Sequence, residues 1–350
     1  MGRPRGGFVI AFPEQPTNEP WPSAEWRVGE PAADVDRAEV DDALRGIREK
    51  GDGDGVSLAT LAVHRGRIVA EQYGPDTDAD TTLVSWSMAK TVTQAVFGML
   101  VGDGLIDIDQ PAAVPEFADT PKAGITVRHL LAMKSGLEFI EDYVDDTTSH
   151  CLDMLFGAGI HDHAHYAASQ QLLHAPGELW NYASGTTNIL ARIAGDIIGG
   201  GEAGMRAFLE QRLFAPLGMR SAQPKFDDAG TFVGSSYLFA TARDFARFGY
   251  LYLRDGVWDQ RRLLPSGWVD SSRTEVAIDP DHTNFGYGAH CWIWRDQPGS
   301  LAAHGYEGQY TVVVPERDLV VVHLGKVPAA ARPALVVKLS GLINAFPTIG

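Results

Sequence analysis

The chain has 350 residues, a hydrophobic content of 45% and a formal net charge of −16. Its length allows a large buried core, while its acidity disfavours nucleic acid and anionic lipid as partners because both attract clustered Lys and Arg. No apolar run reaches the roughly 18 residues of a membrane helix, and the first residues lack the apolar core of a secretory signal, so we expect a cytoplasmic protein.

The chain begins with a segment rich in proline and tryptophan. Residues 1–34 contain prolines at six positions. This composition resists regular structure but can dock on a surface, so it predicts an ordered arm. The next stretch has helical periodicity, with Val40, Leu44 and Ile47 on one face and Gly51 after the last turn. We therefore predict that the folded domain starts with a helix.

Strand patterns occur at both ends of the remaining sequence. Residues 57–73 alternate apolar and polar side chains around a glycine turn, which predicts a hairpin. Residues 285–294 and 310–325 are rich in aromatic and β-branched side chains, and the second of these stretches contains another hairpin pattern. Between the two groups, residues 87–254 are mainly helical, and residues 331–345 predict a further helix.

Strands from both ends of a chain can meet in one antiparallel sheet. We therefore predict an α+β fold with two lobes, in which helices flank an antiparallel sheet and a mainly helical lobe is inserted. The domain at residues 35–350 would consist of a sheet-containing lobe (residues 35–86 and 255–350) and a helical lobe (residues 87–254), with a cleft between them. Within the helical lobe, the segment from Thr241 to Asp244 has the spacing of a capping box.

A serine and a lysine are separated by one helical turn at the start of the helical block. Ser87 and Lys90 form a Ser-x-x-Lys motif, which is common by chance, and one interpretation is a helix-capping serine beside a solvated lysine. The alternative is a nucleophile and its base, because a lysine three residues later can reach the serine hydroxyl. Burial of Lys90 would lower its pKa and favour the neutral amine that such a base requires.

A tyrosine could complete this chemistry. Tyr182 follows a Pro-Gly turn and precedes a helix, so its hydroxyl could face the cleft and pass a proton to the leaving group. Taken alone, a tyrosine at such a position is more often a packing residue. Its place in a reaction therefore depends on where Ser87 and Lys90 lie.

Three ordered motifs carry a resemblance to a known family. Ser87 to Lys90, Tyr182 to Ser184 and Ala303 to Gly305 resemble the S-x-x-K, Y-x-N and K-T-G elements of the serine β-lactamases and penicillin-binding proteins. The resemblance implies the β-lactamase-like fold over most of the chain. The stretches YASGTTNIL and HGYEGQYTVVVP are more similar to the esterases and 6-aminohexanoate-dimer (nylon-oligomer) hydrolases of this superfamily.

Two departures from the family motifs bear on the substrate. Ser184 replaces the asparagine of Y-x-N, and Ala303 or His304 stands where K-T-G has its lysine, which argues against a β-lactam antibiotic as substrate. A protonated His304 could replace that lysine. The resemblance also marks Tyr143 as a residue that contacts a substrate amide. Trp292 and Trp294 are candidates for the cleft wall. The predicted substrate-binding residues are Tyr143, Ser184, His304, Gly305 and Trp292.

The sequence thus predicts a cofactor-free serine hydrolase that acts through an acyl-enzyme on small carboxylic esters. Ser87 would attack, Lys90 would accept its proton, and Tyr182 would relay that proton to the leaving group. The oxyanion would lie between the backbone N–H groups of Ser87 and Tyr306. Esters are preferred because amines are poorer leaving groups.

The alternatives differ in class. The first is an amide hydrolase of the 6-aminohexanoate-oligomer type, followed by a β-lactamase or D-peptidase. A different class is a non-catalytic binding protein on the same fold. In each catalytic case the partner is a small-molecule ester or amide, and the protein is expected to be a monomer or a homodimer.

Other reactive side chains have simpler explanations. His161, His163 and His165 alternate, so they would diverge on a helix, and the sequence places no further ligand to complete a metal site. We predict no metal and interpret this segment as a polar surface loop near the cleft. Cys151 and Cys291 fit neither a disulfide framework nor a zinc motif, and they are expected to be buried thiols.

Overall fold

A computed structural model describes residues 10–49, 51, 53–143 and 148–349. Its helices are α1 (Arg37–Arg48), α2 (Ala89–Gly102), α3 (Val127–Leu131), α4 (His150–Phe156), α5 (His163–Ser169), α6 (Ser184–Ile198), α7 (Gly201–Leu209), α8 (Ala215–Leu217), α9 (Ala242–Leu253), α10 (Trp268–Ser272) and α11 (Arg332–Asn344). Its strands are β1 (Val56–His64), β2 (Arg67–Tyr73), β3 (Leu83–Val84), β4 (Gln223–Pro224), β5 (Leu238–Ala240), β6 (Val257–Trp258), β7 (Arg261–Arg262), β8 (Ala277–Ile278), β9 (Phe285–Tyr287), β10 (Trp292–Trp294), β11 (Leu301–Gly305), β12 (Gln309–Val314) and β13 (Leu319–Lys326).

Strands from both ends of the sequence meet in one sheet, as predicted. The strand order is β2-β1-β13-β12-β11-β10-β9-β8, and each neighbouring pair is antiparallel. The first hairpin turns at Arg65 and Gly66, whose φ angles of 49° and 87° suit the tight turns that join twisted strands. The second joins β12 to β13 through residues 315–318. Both predicted hairpins and the α+β fold are therefore confirmed.

Helices cover both faces of this sheet. The helix predicted after the arm is α1, and its buried Val40, Leu44 and Ile47 pack with α11 on one face. On the other face, α9 lies directly on β12 and β13. Its Gly249 allows this close approach, because a Cβ there would lie 2.7 Å from a Thr311 methyl group. The last helix of the predicted helical block thus packs on the sheet itself.

The described part of the N-terminal arm is attached to the domain by specific contacts. The Trp26 indole donates to the carbonyl of Arg243 at 3.0 Å, and the Trp258 indole donates to Ser23 Oγ at 2.7 Å. Val28 forms a parallel bridge with Ile68 of β2. Residues 10–34 therefore form an ordered segment without long helices or strands, whereas residues 1–9 lie outside the described residues.

Two local predictions need correction. Thr241 caps α9 by accepting from the N–H of Asp244, but the Asp244 carboxylate accepts from Ser221 and Arg247 instead of reaching back, so only half of the capping box forms. The histidine segment is only partly a surface loop, because His161 is exposed in a turn, whereas α5 begins at His163 and this side chain is buried. Its helical backbone explains why the alternate side chains diverge.

Two further features concern cysteine and membranes. Cys151 and Cys291 are free thiols and both are buried, as predicted. None of the helices in the described ranges combines the length and hydrophobicity that a bilayer crossing requires.

Candidate active site

Ser87 lies in a short 3₁₀ turn that leads directly into α2. The turn spans Trp86–Met88, and the Ser87 side chain makes no capping bond. The interpretation of Ser87 as a helix cap is therefore wrong. Trp86 has a φ of 42°, in the left-handed region that non-glycine residues seldom adopt. Backbone strain of this kind persists where the surrounding structure enforces it, and it is concentrated at functional sites.

Lys90 is buried behind Ser87 and holds it by a direct contact. Its Nζ lies 2.8 Å from Ser87 Oγ, 2.9 Å from Ser184 Oγ and 3.0 Å from the carbonyl oxygen of Ser235. Only 2% of Lys90 is exposed, so the interpretation of a solvated lysine is also wrong. A neutral amine has two N–H donors, which suit Ser184 and Ser235, and one lone pair, which then faces the Ser87 hydroxyl.

The protonation of Lys90 is set by two opposing effects. Burial lowers its pKa from the usual 10.5, because a buried ammonium loses its hydration, and the nearby Glu141 carboxylate opposes this by raising the pKa. Burial is the larger effect. The environment therefore favours the amine form that can accept a proton from Ser87.

Glu141 forms the second layer behind the lysine. Its carboxylate accepts from the backbone N–H of Ser184 at 2.7 Å, from Ser184 Oγ at 2.5 Å and from the Tyr143 hydroxyl at 2.6 Å. The hydroxyl of Ser184 thus accepts from Lys90 and donates to Glu141. The Ser184 hydroxyl therefore connects Glu141 with Lys90, and its contact with a substrate stays a prediction.

Tyr182 lies beside this pair. The Lys90 Nζ is 4.9 Å from the centroid of its ring, and the nearby Ser87 and Trp292 side chains partly counteract the rise of the Tyr182 pKa. Burial is the main cause that raises the Tyr182 pKa well above its usual value of 10. The phenol therefore keeps its proton at neutral pH, which fits a group that passes a proton on and does not fit a phenolate base.

Ser87 opens onto a cleft of about 990 Å³. Its wall includes the predicted residues Tyr143, Tyr182, Trp292, His304, Gly305 and Tyr306. Gly305 ends β11, and a Cβ there would lie 2.3 Å from the carbonyl oxygen of Ser85, so only glycine allows β11 to approach the Ser87 turn this closely. The far wall is formed by α11 and by the loop at residues 279–284.

Comparison with known proteins identifies the family. The profile of the Beta-lactamase family matches residues 40–333. The chain belongs to the β-lactamase family. Membership makes it a serine hydrolase and agrees with the resemblance drawn from the three motifs.

Several individual proteins are similar to this chain over most of its length. The 6-aminohexanoate-dimer hydrolase of Paenarthrobacter ureafaciens is 28% identical over 290 residues, which is 77% of this chain and 72% of that protein. A Bacillus anthracis structure, provisionally named as a 6-aminohexanoate-dimer hydrolase, has a TM-score of 0.75 at 22% identity and covers 95% of this chain and 91% of that one. A family VIII carboxylesterase has a TM-score of 0.68 at 17% identity, with coverage of 91% and 98%.

His304 lies in the Ala303–Gly305 segment that resembles K-T-G, and it carries no charge here. Its Nε2 accepts from the Trp294 indole at 2.8 Å, and an indole N–H can only donate, so this nitrogen bears no proton. The ring stacks on Trp292 with centroids 5.0 Å apart, and burial lowers the His304 pKa to about 3. The proposal that a protonated His304 replaces the lysine is therefore wrong.

The remaining aromatic candidates have different roles. Trp292 lines the cleft and packs on Tyr182 with ring centroids 5.3 Å apart. Trp294 is fully buried behind His304 and is absent from the described wall, so its assignment to the wall is wrong. Tyr306 contacts Tyr143, with ring centroids 4.7 Å apart, and follows Gly305 at the cleft.

Sequence analysis missed two charged residues of the site. Glu141 lies in an unremarkable acidic segment, and its only signal was its position two residues before Tyr143. Arg332, at the start of α11, lines the cleft with its guanidinium 5.4 Å from the Tyr306 ring centroid. Within the described ranges no carboxylate pairs with Arg332. It is a cation that a substrate could reach.

The three alternating histidines form separate pairs. His161 contacts Asp228 at 2.5 Å, and His165 contacts Glu116 at 2.7 Å. The buried His163 lies 3.5 Å from Asp227. Among the described residues no group of three potential ligands converges on one point.

Proposed function

We propose that this protein hydrolyses small carboxylic esters through an acyl-enzyme, with Ser87 as nucleophile, Lys90 as base and Tyr182 as proton relay. The observation that carries the proposal is the 2.8 Å contact between a buried Lys90 Nζ and Ser87 Oγ. Because the other two contacts of that nitrogen are acceptors, its lone pair is left for the serine proton.

The catalytic cycle follows from these contacts. Ser87 Oγ bonds to the carbonyl carbon while its proton moves to Lys90, and Tyr182 delivers that proton to the departing alkoxide as the ester C–O bond breaks. Water then attacks the acyl-enzyme by the same route in reverse and releases the carboxylic acid. The backbone N–H groups of Ser87 and Tyr306 would hold the oxyanion, a role supported by the tight packing of Gly305 on the Ser87 turn.

An ester is favoured over an amide by the state of Tyr143. Its hydroxyl donates to Glu141 at 2.6 Å, so this proton is not free to assist a leaving amine. An alkoxide departs more readily than an amide anion and needs no second donor. Ester hydrolysis therefore needs fewer catalytic groups from this site than amide hydrolysis would need.

Amide hydrolysis is the second candidate. It is favoured by the 28% identity with a 6-aminohexanoate-dimer hydrolase. A β-lactam or D-peptide substrate has less support, because the Ala303–Gly305 segment that resembles K-T-G contains no lysine and its His304 is uncharged.

A fluorophosphonate probe tests the nucleophile. We expect labelling of the wild-type protein and of Ser266→Ala, an exposed control position, but no labelling of Ser87→Ala. Labelling of Ser87→Ala would remove Ser87 from this role. Rates with a p-nitrophenyl ester, the linear 6-aminohexanoate dimer and nitrocefin then rank the three substrate classes. A wild-type protein that is not labelled and hydrolyses none of the three substrates would instead favour a binding protein.

A further inference from the structure

A second space opens at Ser87 beside the large cleft. This chamber has a volume of about 140 Å³. Ser87, Tyr143 and Tyr306 line both spaces, and the contact between the two tyrosine rings lies where the spaces meet. The nucleophile is therefore located between a large cleft and a small chamber.

The wall of the chamber is mainly apolar. One side of α4 contributes Cys151, Leu152, Leu155 and Phe156, whose spacing places them on neighbouring positions of one helix face. The helix is fixed beside the site because Ser149 accepts from its N-terminal backbone and donates to the Asp142 carbonyl. The chamber is thus a built part of the site.

Two serine hydroxyls that reach the chamber already have partners. The hydroxyl of Ser184 connects Lys90 with Glu141, and Ser236 Oγ lies 2.9 Å from Ser235 Oγ. A charged or strongly polar ligand group would gain little here and would lose its hydration. The chamber therefore favours an apolar ligand group.

The position of Tyr182 orients the substrate. In an ester the acyl group and the alcohol lie on opposite sides of the reacting carbonyl carbon. Under the proposed function Tyr182 protonates the departing alcohol, and Tyr182 lines the large cleft but is not among the described residues of the chamber. The alcohol must therefore leave through the cleft, which assigns the acyl group to the chamber.

We infer that the α4 chamber is the acyl-binding site and that it selects short apolar acyl groups of about four to six carbons; this rests on the proposed function. The size follows from a comparison, since an apolar cavity of about 150 Å³ in another protein accommodates benzene. Hexanoyl esters should therefore be far better substrates than 6-aminohexanoyl esters of the same length, whose ammonium would find no carboxylate among the described residues that line the chamber.

Two ester series test this assignment. The first varies the acyl group from acetyl to decanoyl on p-nitrophenol and includes the 6-aminohexanoyl ester. The second keeps butyryl and varies the alcohol from ethanol to decanol. We expect kcat/KM in the first series to rise about fourfold per methylene up to four to six carbons and then fall. The hexanoyl ester should exceed the 6-aminohexanoyl ester at least a hundredfold.

Variants on α4 locate the effect. Leu152→Trp fills the chamber and should lower the ratio of hexanoate to acetate kcat/KM at least tenfold, whereas Leu155→Ala enlarges it and should move the optimum to longer acyl groups. Leu105→Trp and Leu105→Ala, at an exposed position that lines neither space, are the matched controls and should leave the acyl profile unchanged. A ratio of two substrates on one preparation is independent of the fraction of folded enzyme.

The outcomes separate the two proposals. If Leu152→Trp changes the alcohol series and not the acyl series, the assignment is reversed and our inference is wrong. It is equally wrong if wild-type hydrolysis depends on Ser87 but neither series responds to the α4 variants, or if the 6-aminohexanoyl ester matches the hexanoyl ester. If the wild-type protein hydrolyses no ester and forms no adduct at Ser87, the proposed function itself is overturned.

Discussion

The two sides of Ser87 differ in the surroundings of their ionisable groups. Behind it, Lys90 and Glu141 are connected through Ser184 by hydrogen bonds of 2.5 to 2.9 Å, so buried polar groups remain partnered. At the end of β11, the segment that resembles K-T-G contains no lysine and holds a neutral His304 stacked on Trp292. The comparison teaches that the ionisable groups behind Ser87 keep hydrogen-bond partners, whereas the β11 side offers no cation in this segment.

Removing Lys90 should disrupt the buried side of Ser87 and have the largest effect on the rate. We expect Lys90→Ala to lower kcat by about 10² to 10⁴, because the Lys90 amine that contacts Ser87 Oγ is the group that takes its proton. Lys326→Ala, an exposed lysine of β13, should retain the wild-type rate. Steady-state kinetics with a p-nitrophenyl ester measure both, and a wild-type rate in Lys90→Ala would contradict the role of base.

Replacing Glu141 by a neutral residue should reveal its effect on Lys90 in the pH profile of the reaction. We expect Glu141→Gln to lower kcat about tenfold, because Ser184 loses its charged acceptor. The carboxylate raises the Lys90 pKa, so its removal should lower that pKa further and move the acidic limb of kcat/KM to lower pH. Glu138→Gln is the control from the same segment. A shift to higher pH, or no shift, would contradict the electrostatic role of Glu141.

A variant of Arg332 tests whether the cleft recognises an anion although the K-T-G-like segment has no lysine. Butyrate esters of 4-hydroxybenzoate and of 4-hydroxybenzamide differ in one charge on the leaving group. We expect Arg332→Ala to lower kcat/KM about tenfold for the charged ester and to leave the amide-bearing ester unchanged, because a guanidinium binds a carboxylate through charge-assisted hydrogen bonds. The exposed Arg261→Ala is the control. Equal losses for both esters would indicate a structural role.

The last prediction concerns the free energy of unfolding in acid. The His304 pKa is lowered to about 3, so between that value and the unfolded value near 6.5 the folded protein binds fewer protons than the unfolded chain. The free energy of unfolding should therefore fall as the pH falls through this window, by up to about 1.4 kcal/mol per pH unit for this group. Urea titrations of His304→Gln should show a flatter dependence, part of which persists because burial also lowers the His290 pKa to about 3. An unchanged slope would mean that His304 does not contribute.

The sequence predicted features that depend on local periodicity. The alternation around Gly66 gave a hairpin, and the spacing of Ser87 and Lys90 gave a contact that one helical turn suffices to make. Strands separated by more than 200 residues were predicted to meet, because sheet edges need partners and a helical block can be inserted between them.

Features that depend on distant neighbours were not predictable. Apart from its position two residues before Tyr143, nothing in the sequence distinguishes Glu141 from Glu138, and only the fold brings Glu141 against Ser184. The charge of His304 depends on an indole that donates to it from Trp294, and this contact requires the pairing of β10 with β11. The sequence therefore predicted the position of a side chain better than its protonation state.

The packing of Gly305 on the carbonyl of Ser85 also bears on how the enzyme is made. These residues are about 220 positions apart, which at about 5 to 20 residues per second is on the order of 10 to 40 seconds of translation. A nascent chain thus carries Ser87 and Lys90 well before it can form the end of β11 or the α11 wall. The cleft beside Ser87 is consequently completed late in biogenesis, and an incompletely synthesised chain lacks its β11 and α11 walls.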